Sequence, residues 1–332
     1  MHEAPGEIRD ITVIGAGPVG LSTAFWAGMR EATSRVIDSL PQIGGQLTAL
    51  YPEKWIFDVP GHTKVLAKDL VEELRRQALE QFDVPVHLET TVETIEWEDD
   101  IVVLNTNNPH FPQLRSRAVI IAGGHGAFEP KKLPGYDMTP WEGRGAHYLV
   151  GSKLEFAGKR VLIIGGGDSA VCHRREGFRA HELTVSQVMT AAEAGHVDLH
   201  VPFQVREVIG NGAIERVRLF HSEDESHEIE IEVDAILLQL GFKTALGPLR
   251  EWGLEISKGA LVVDQVMKTN LDGVWACGDI TTFDGKLKLI ATGFAEAAVA
   301  VAQAVRSFRP EMKIQPKYST NTGVPGGVGG QP

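Results

Sequence analysis

Ile11-Thr12-Val13-Ile14 runs directly into Gly15-Ala16-Gly17-Pro18-Val19-Gly20, and an apolar stretch, Leu21 to Met29, follows. A β-branched strand, a GxGxxG turn and a helix in that order leave few folds open. Glycines let the backbone approach a pyrophosphate at the helix N-terminus, where unpaired N–H groups and the helix dipole favour an anion. A second short strand, Arg35-Val36-Ile37, ends in Asp38, 18 positions after Gly20. An acid at that point accepts two ribose hydroxyls. Gly15, Gly17, Gly20 and Asp38 are therefore candidate dinucleotide ligands.

Further short strands are expected at Val119–Ile121, Val161–Ile164, Ala235–Leu240 and Val274–Ala276, with helices at Leu21–Met29 and Lys64–Gln81. That alternation is the pattern of parallel α/β units. The acidic, alternating run from Val86 to Leu104 predicts an antiparallel meander laid across one of them. A second glycine turn, Gly165-Gly166-Gly167, follows the strand Val161–Ile164 about 150 residues after the first. The fold class expected is α/β, with two Rossmann-like dinucleotide-binding domains.

Composition narrows the function. The chain has 32 Lys+Arg against 44 Asp+Glu, a net charge of −12, which argues against a general nucleic-acid binder. The most apolar long segment, Ile290 to Val305, carries Glu296 and Gln303 and is alanine-rich, so it predicts a buried helix sooner than a membrane span. The N-terminus has no charged-then-apolar signal pattern, and the expected setting is soluble and cytoplasmic. Only two cysteines occur, Cys172 and Cys277, and no CxxC pair exists, so neither a dithiol redox centre nor a zinc site of the usual spacing is available.

The run SLPQIGGQLTALYPEK, from Ser39 to Lys54, resembles the ferredoxin–NADP⁺ reductases of the thioredoxin-reductase-like type. So do Gly126-Ala127-Phe128, Cys277-Gly278-Asp279-Ile280 and Tyr318-Ser319-Thr320. The resemblance covers nearly the whole chain, from about Asp10 to Thr320. It implies FAD in the first crevice, with Asp38 on the adenosine ribose and Gln46 and Tyr51 at the flavin end. Val92 would sit by the adenine and Phe128 beside the cofactor. Asp279 would bond the ribityl chain, and the helix after it would aim its N-terminus at the flavin. Thr320 would reach the flavin from the tail, supplied by the partner subunit of a homodimer or by its own. Tyr318 is a departure, because relatives often place histidine or phenylalanine there; it is a candidate to stack on the face opposite Tyr51. The resemblance further implies NADPH at the second turn, with Gly165 and Gly167 in the phosphate loop and Arg174, Arg175 and Arg179 clamping a 2′-phosphate. The FAD domain is expected at 1–122 and 270–332, the NADPH domain at 123–269, and a disordered tail at 321–332.

The second turn breaks the internal rule. Gly20 to Asp38 spans 18 positions, but Ala170 to Arg174 spans 4. About fifteen residues are missing on that ruler, a helix and most of a strand among them, so the second domain reads as truncated after Val171. A parallel crossover ordinarily needs at least about 10–12 residues. Two readings follow. In one, Ser169 to about Glu182 becomes the helix, with the HRR cluster on it, and Leu183–Val188 becomes the following strand. In the other, the region is rearranged or disordered and NADPH binding is impaired. Cys172, at the join, reads as a by-product of the deletion.

Without a dithiol, thioredoxin reduction and disulfide reduction by an internal thiol pair are excluded on chemistry. What remains is a flavin that takes a hydride from NADPH and passes single electrons to ferredoxin or flavodoxin, with no protein acid, base, nucleophile or metal required. Lys286, Lys288, Lys313 and Lys317 are candidates to dock an acidic carrier. The competing reading is a flavin-binding protein that has lost efficient NADPH oxidation; a third is a reductase with another acceptor, such as a quinone or a small protein.

Overall fold

The computed structural model describes residues 6–150, 152–165, 172–174, 182–316 and 319–325. The chain forms two units, one of Met1–Phe128 with Thr244–Pro332, the other of Glu129–Lys243.

In the first unit, strand β1 (Ile8–Ile14) is the centre of the sheet. It pairs in parallel with β2 (Ser34–Ile37) on one side, Ile14 opposite Ile37, and with Gln113–Ile121 on the other, Ile14 opposite Ile121. Such a strand is covered on both faces, which is why ITVI is uninterrupted by polar alternation except at Thr12. Val274–Ala276 adds to Gln113–Ile121 in parallel, Trp275 opposite Ile120. Strands Val92–Glu98, Ile101–Thr106 and Gln113–Ile121 form the antiparallel meander. Val86–His87 does not join it, and instead extends the parallel edge beside β2.

Helix α1 (Pro18–Met29) begins with Gly17 as its N-cap and proline in the first turn, where the missing N–H costs nothing. Two glycines of the turn are required by close approach. Gly15 has φ +113°, and a Cβ there would lie 2.5 Å from the Ala122 carbonyl oxygen. A Cβ on Gly20 would lie 1.8 Å from the Gly15 carbonyl oxygen. α1 packs on the long helix Ile290–Phe308, whose buried stripe includes Gly293, Ala297, Ala300, Ala304 and Val305. The helix expected over 64–81 starts later, at Ala67, because Val65–Leu66 pairs with Trp55–Ile56; from Arg76 to Glu80 it continues as a π turn.

The return to the first unit comes at Thr244, earlier than the 270 expected from the sequence. The reason is packing: Leu246, Trp252, Leu254, Leu261, Val263 and Met267 are buried in the same core as Ile11, Val13 and Val36.

The second unit holds a parallel three-stranded sheet of Ala146–His147, Ala235–Gln239 and Val161–Gly165, with Ile164 opposite Leu238. An antiparallel sheet of Phe203–Ile209, Arg216–His221 and Glu228–Glu232 accompanies it. Both expectations of the helix-first reading are corrected. Leu183–Val188 is not a strand but part of the helix Glu182–Glu193. Its part-buried positions, Val185, Val188, Ala191 and Ala192, recur at helical spacing, so tertiary burial overrides the β-branched propensity. Cys172, the residue before the HRR cluster, bridges to the sheet, and His173 and Arg174 after it are not helical. Cys172 N–H donates to the Ile163 carbonyl at 2.8 Å, and Gly165 N–H donates to the Cys172 carbonyl at 3.2 Å. Cys172 thus makes a parallel bridge to Ile164 and another to His200. Pairing satisfies the open edge of the Val161–Gly165 strand, as buried backbone groups require. Residues 166–171 and 175–181 lie outside the described residues; so does the C-terminal part of the tail, 326–332, while Ser319–Thr322 forms a helical turn.

Replacing Gly20 by Ala forces a backbone shift at the turn and lowers the unfolding free energy by about 2–3 kcal/mol. Urea unfolding against wild type reads this directly; a change below ~0.5 kcal/mol would contradict the close approach.

Candidate cofactor sites

The turn, the end of β2 and the end of Gln113–Ile121 open onto a cavity of about 330 Å³. Gly15, Gly17, Asp38, Gln46, Tyr51, Val92 and Asp279 all line it, so seven of the sequence-predicted residues come together from positions as far apart as 15 and 279. Gly20 stands behind the turn, where it admits the Gly15 carbonyl. The side chain of Phe128, and Tyr318, lie outside the described residues; Thr320 is exposed and is not among the lining residues.

Asp38 is fixed by the turn it faces. Its Oδ2 accepts the Ala16 N–H at 2.6 Å, and its Oδ1 accepts the Leu40 N–H at 2.9 Å. Burial raises its pKa, and the N–H groups of Ala16, Leu40 and Ser39 pull it back down. Each carboxylate oxygen keeps a second lone pair for a hydroxyl donor. Tyr51 lies at the rim, 39% exposed, and burial of its hydroxyl raises its pKa.

The cavity fits a dinucleotide on its own geometry. A Cβ built on Gly17 would meet nothing closer than the Gly45 Cα at 4.0 Å, so any side chain there would project into the space a pyrophosphate needs. That space lies at the N-terminus of α1, and Leu289 and Ile290 bring the start of a second helix to the same wall.

Two features were missed from sequence. His125, in a glycine-flanked turn, has its Nδ1 2.9 Å from the Gln46 amide nitrogen and 3.6 Å from Asp279 Oδ2. The glycines around it were the available signal. Glu296 is buried beneath the cavity wall, where it accepts the Gly278 N–H at 2.7 Å and pairs with Lys286 at 2.6 Å. Lys286 is only 7% exposed, which corrects its expected role as a docking cation. Lys288 and Lys313 are exposed; Lys317 lies outside the described residues.

A second cavity, about 500 Å³, lies within the other unit and is lined by Gly165, Cys172, His173, Arg174, Gln204 and Gln239 among others. Of the five residues predicted there, Gly165 and Arg174 reach it, and Gly167, Arg175 and Arg179 lie outside the described residues.

Comparison with known proteins decides the lineage. The model of the pyridine nucleotide-disulphide oxidoreductases matches residues 9–172 and 170–304, two stretches that overlap at residues 170–172. The chain belongs to that family. It is 44% identical to a protein of Thermus thermophilus named ferredoxin–NADP reductase, over 96% of this chain and 98% of the relative. A ferredoxin–NADP reductase of Bacillus pumilus is 43% identical over 95% and 97%. Among solved structures, thioredoxin reductase of T. acidophilum aligns over 91% of this chain and 99% of its own with a TM-score of 0.71 and 22% identity, a likeness of fold alone. The chain is thus an oxidoreductase enzyme of thioredoxin-reductase-like fold, with FAD and NADP(H) as its cofactors. Among the described residues no helix is long and apolar enough to cross a membrane.

The thiols stand apart from any dithiol chemistry. Cys172 belongs to the core of one unit and Cys277 to the core of the other. Burial raises the pKa of each to about 12, so both are thiols, not thiolates, at neutral pH. Iodoacetamide at neutral pH therefore labels neither in the folded protein and both after denaturation, as mass spectrometry will read. The ion pair yields a second expectation. Lys286→Met strands a buried carboxylate and costs about 3 kcal/mol in urea unfolding, while Lys286→Met with Glu296→Leu recovers most of it.

Proposed function

We propose that the chain carries electrons between NADPH and ferredoxin or flavodoxin, as a soluble cytoplasmic homodimer. The observation that carries this is the convergence of Gly17, Asp38, Gln46, Tyr51 and Asp279 on one cavity in a chain without a CxxC pair. Full-length relatives named ferredoxin–NADP reductase support it.

In this reading the first unit holds FAD. Gly15 and Gly17 receive the pyrophosphate at the α1 N-terminus, Asp38 the ribose hydroxyls, and Val92 packs by the adenine. Gln46, Tyr51 and Asp279 hold the flavin end, with Phe128, Tyr318 and Thr320 completing the enclosure. The second unit holds NADPH on Gly165, Gly167, Arg174, Arg175 and Arg179. Bound FAD supplies the conversion between a two-electron hydride donor and one-electron carriers. The protein's part is to bind, orient and exclude water, and no side chain of this set needs to act as nucleophile or general base. Lys288 and Lys313 are the remaining candidate docking cations for an acidic carrier.

The short join favours a second reading in which NADPH oxidation is impaired. Cys172 reaches the sheet edge after residues 166–171 alone, where a helical crossover is normal. One anaerobic titration separates the two. NADPH bleaching the oxidised-flavin band within seconds, followed by ferredoxin reduction, supports the reductase. A yellow protein bleached by dithionite but not by NADPH supports the flavin-binding protein, and a colourless protein that takes up no FAD overturns both.

A further inference from the structure

At one end of the first cavity, three polar side chains from separate stretches of chain meet at a single atom. Gln46, at the start of the helix Gln46–Ala49, places its amide 2.9 Å from His125 Nδ1. Asp279, in the 3-10 turn Gly278–Ile280, places its carboxylate 3.6 Å from the same nitrogen. Gln46 and Asp279 line the cavity, as do Gly124 and Gly126, which carry His125 between them.

One imidazole nitrogen cannot serve both partners alike. A neutral ring with its proton on Nε2 offers Nδ1 as an acceptor, which suits a donating amide and gives a carboxylate nothing. A protonated ring makes Nδ1 a donor, which suits the carboxylate and, from Gln46, only the amide oxygen. Where the neutral ring carries its proton on Nε2, gaining a second proton at Nδ1 exchanges the partner that nitrogen can serve.

We propose that His125 is a positioning residue with two settings, holding the Gln46 amide when neutral and the Asp279 carboxylate when protonated, so that its charge sets how the flavin end of the cofactor is held. This rests on the reading of the first cavity as the FAD site. The other titratable groups lining the cavity are Asp38, held by the N–H groups of Ala16 and Leu40, and Tyr51; behind Gly278 the Lys286–Glu296 pair is mutually neutralising. All of these remain in a His125→Gln variant, which keeps an amide to bond Gln46 but cannot titrate.

The test uses the FAD-loaded protein. The flavin band and the FAD released into solution are followed from about pH 8.5 to about pH 5.5. Wild type is expected to show a one-proton shift of the band and a change of about threefold or more in FAD affinity. His125→Gln is expected to hold FAD within about threefold of wild type at the alkaline end and to give a flat profile. A wild-type profile as flat as the variant's, or a variant that keeps the change, overturns the proposal. Nitrogen-15 NMR of the histidine rings tests the pairing without relying on His125→Gln folding, with the signal assigned through His125→Asn. An Nε2–H tautomer at alkaline pH is expected, and an Nδ1–H tautomer overturns the proposal. That measurement reads the empty cavity too, so a preparation that binds no FAD, which sinks the flavin reading, still decides the pairing separately.

Discussion

One hydrogen bond organises the first unit: the Ala16 N–H to the Asp38 carboxylate, 2.6 Å long. It ties the turn after β1 to the end of β2, and the same residue's carbonyl accepts the Gly44 N–H at 2.8 Å. The loop after β2 is thereby drawn over the turn, bringing Gly45 against Gly17 and setting Gln46 on the cavity wall. A charge-assisted bond of this kind, partly shielded from water, is stronger than a neutral one. The acid is thus a structural strut, and in the proposed reading it binds the ribose with the lone pairs that the strut leaves over.

In the second unit the edge of the parallel sheet is met by a very short pairing. The Val161–Gly165 strand still gains a parallel neighbour, but the neighbour is reduced to Cys172 and its continuation into His173, whose N–H donates to the His200 carbonyl at 3.1 Å. Arg174, shortly after this bridge, is exposed and lines the second cavity.

Features set by local chemistry were legible in the sequence. Val274–Ala276, Arg35–Ile37 and the glycine turn could be read because β-branched runs stop at residues that only a turn or a phosphate loop wants. Seven cavity residues followed from the motif and its resemblance. What escaped depends on long-range packing. Nothing local says that Leu246 and Trp252 are buried against a core built mainly from the first 128 residues, or that Lys286 turns inward to Glu296. LTVSQV has strand propensity and is helical because its neighbours bury one side of it. His125 was missed for the same reason: its meaning lies in Gln46 and Asp279, 79 positions before it and well over a hundred after.

The interruption of the first unit by Glu129–Lys243 has a consequence for biosynthesis. A ribosome delivers the interrupting segment whole, as one contiguous stretch able to collapse on its own contacts as it emerges. The N-terminal 128 residues must wait, because the strand Val274–Ala276 and the helix Ile290–Phe308 that complete their core are made only after the whole interrupting segment. At ordinary elongation rates of about 5–20 residues per second, that leaves the apolar face of α1 uncovered for roughly ten seconds or more. The order of completion along the chain is thus inverted: the unit that starts first is finished last.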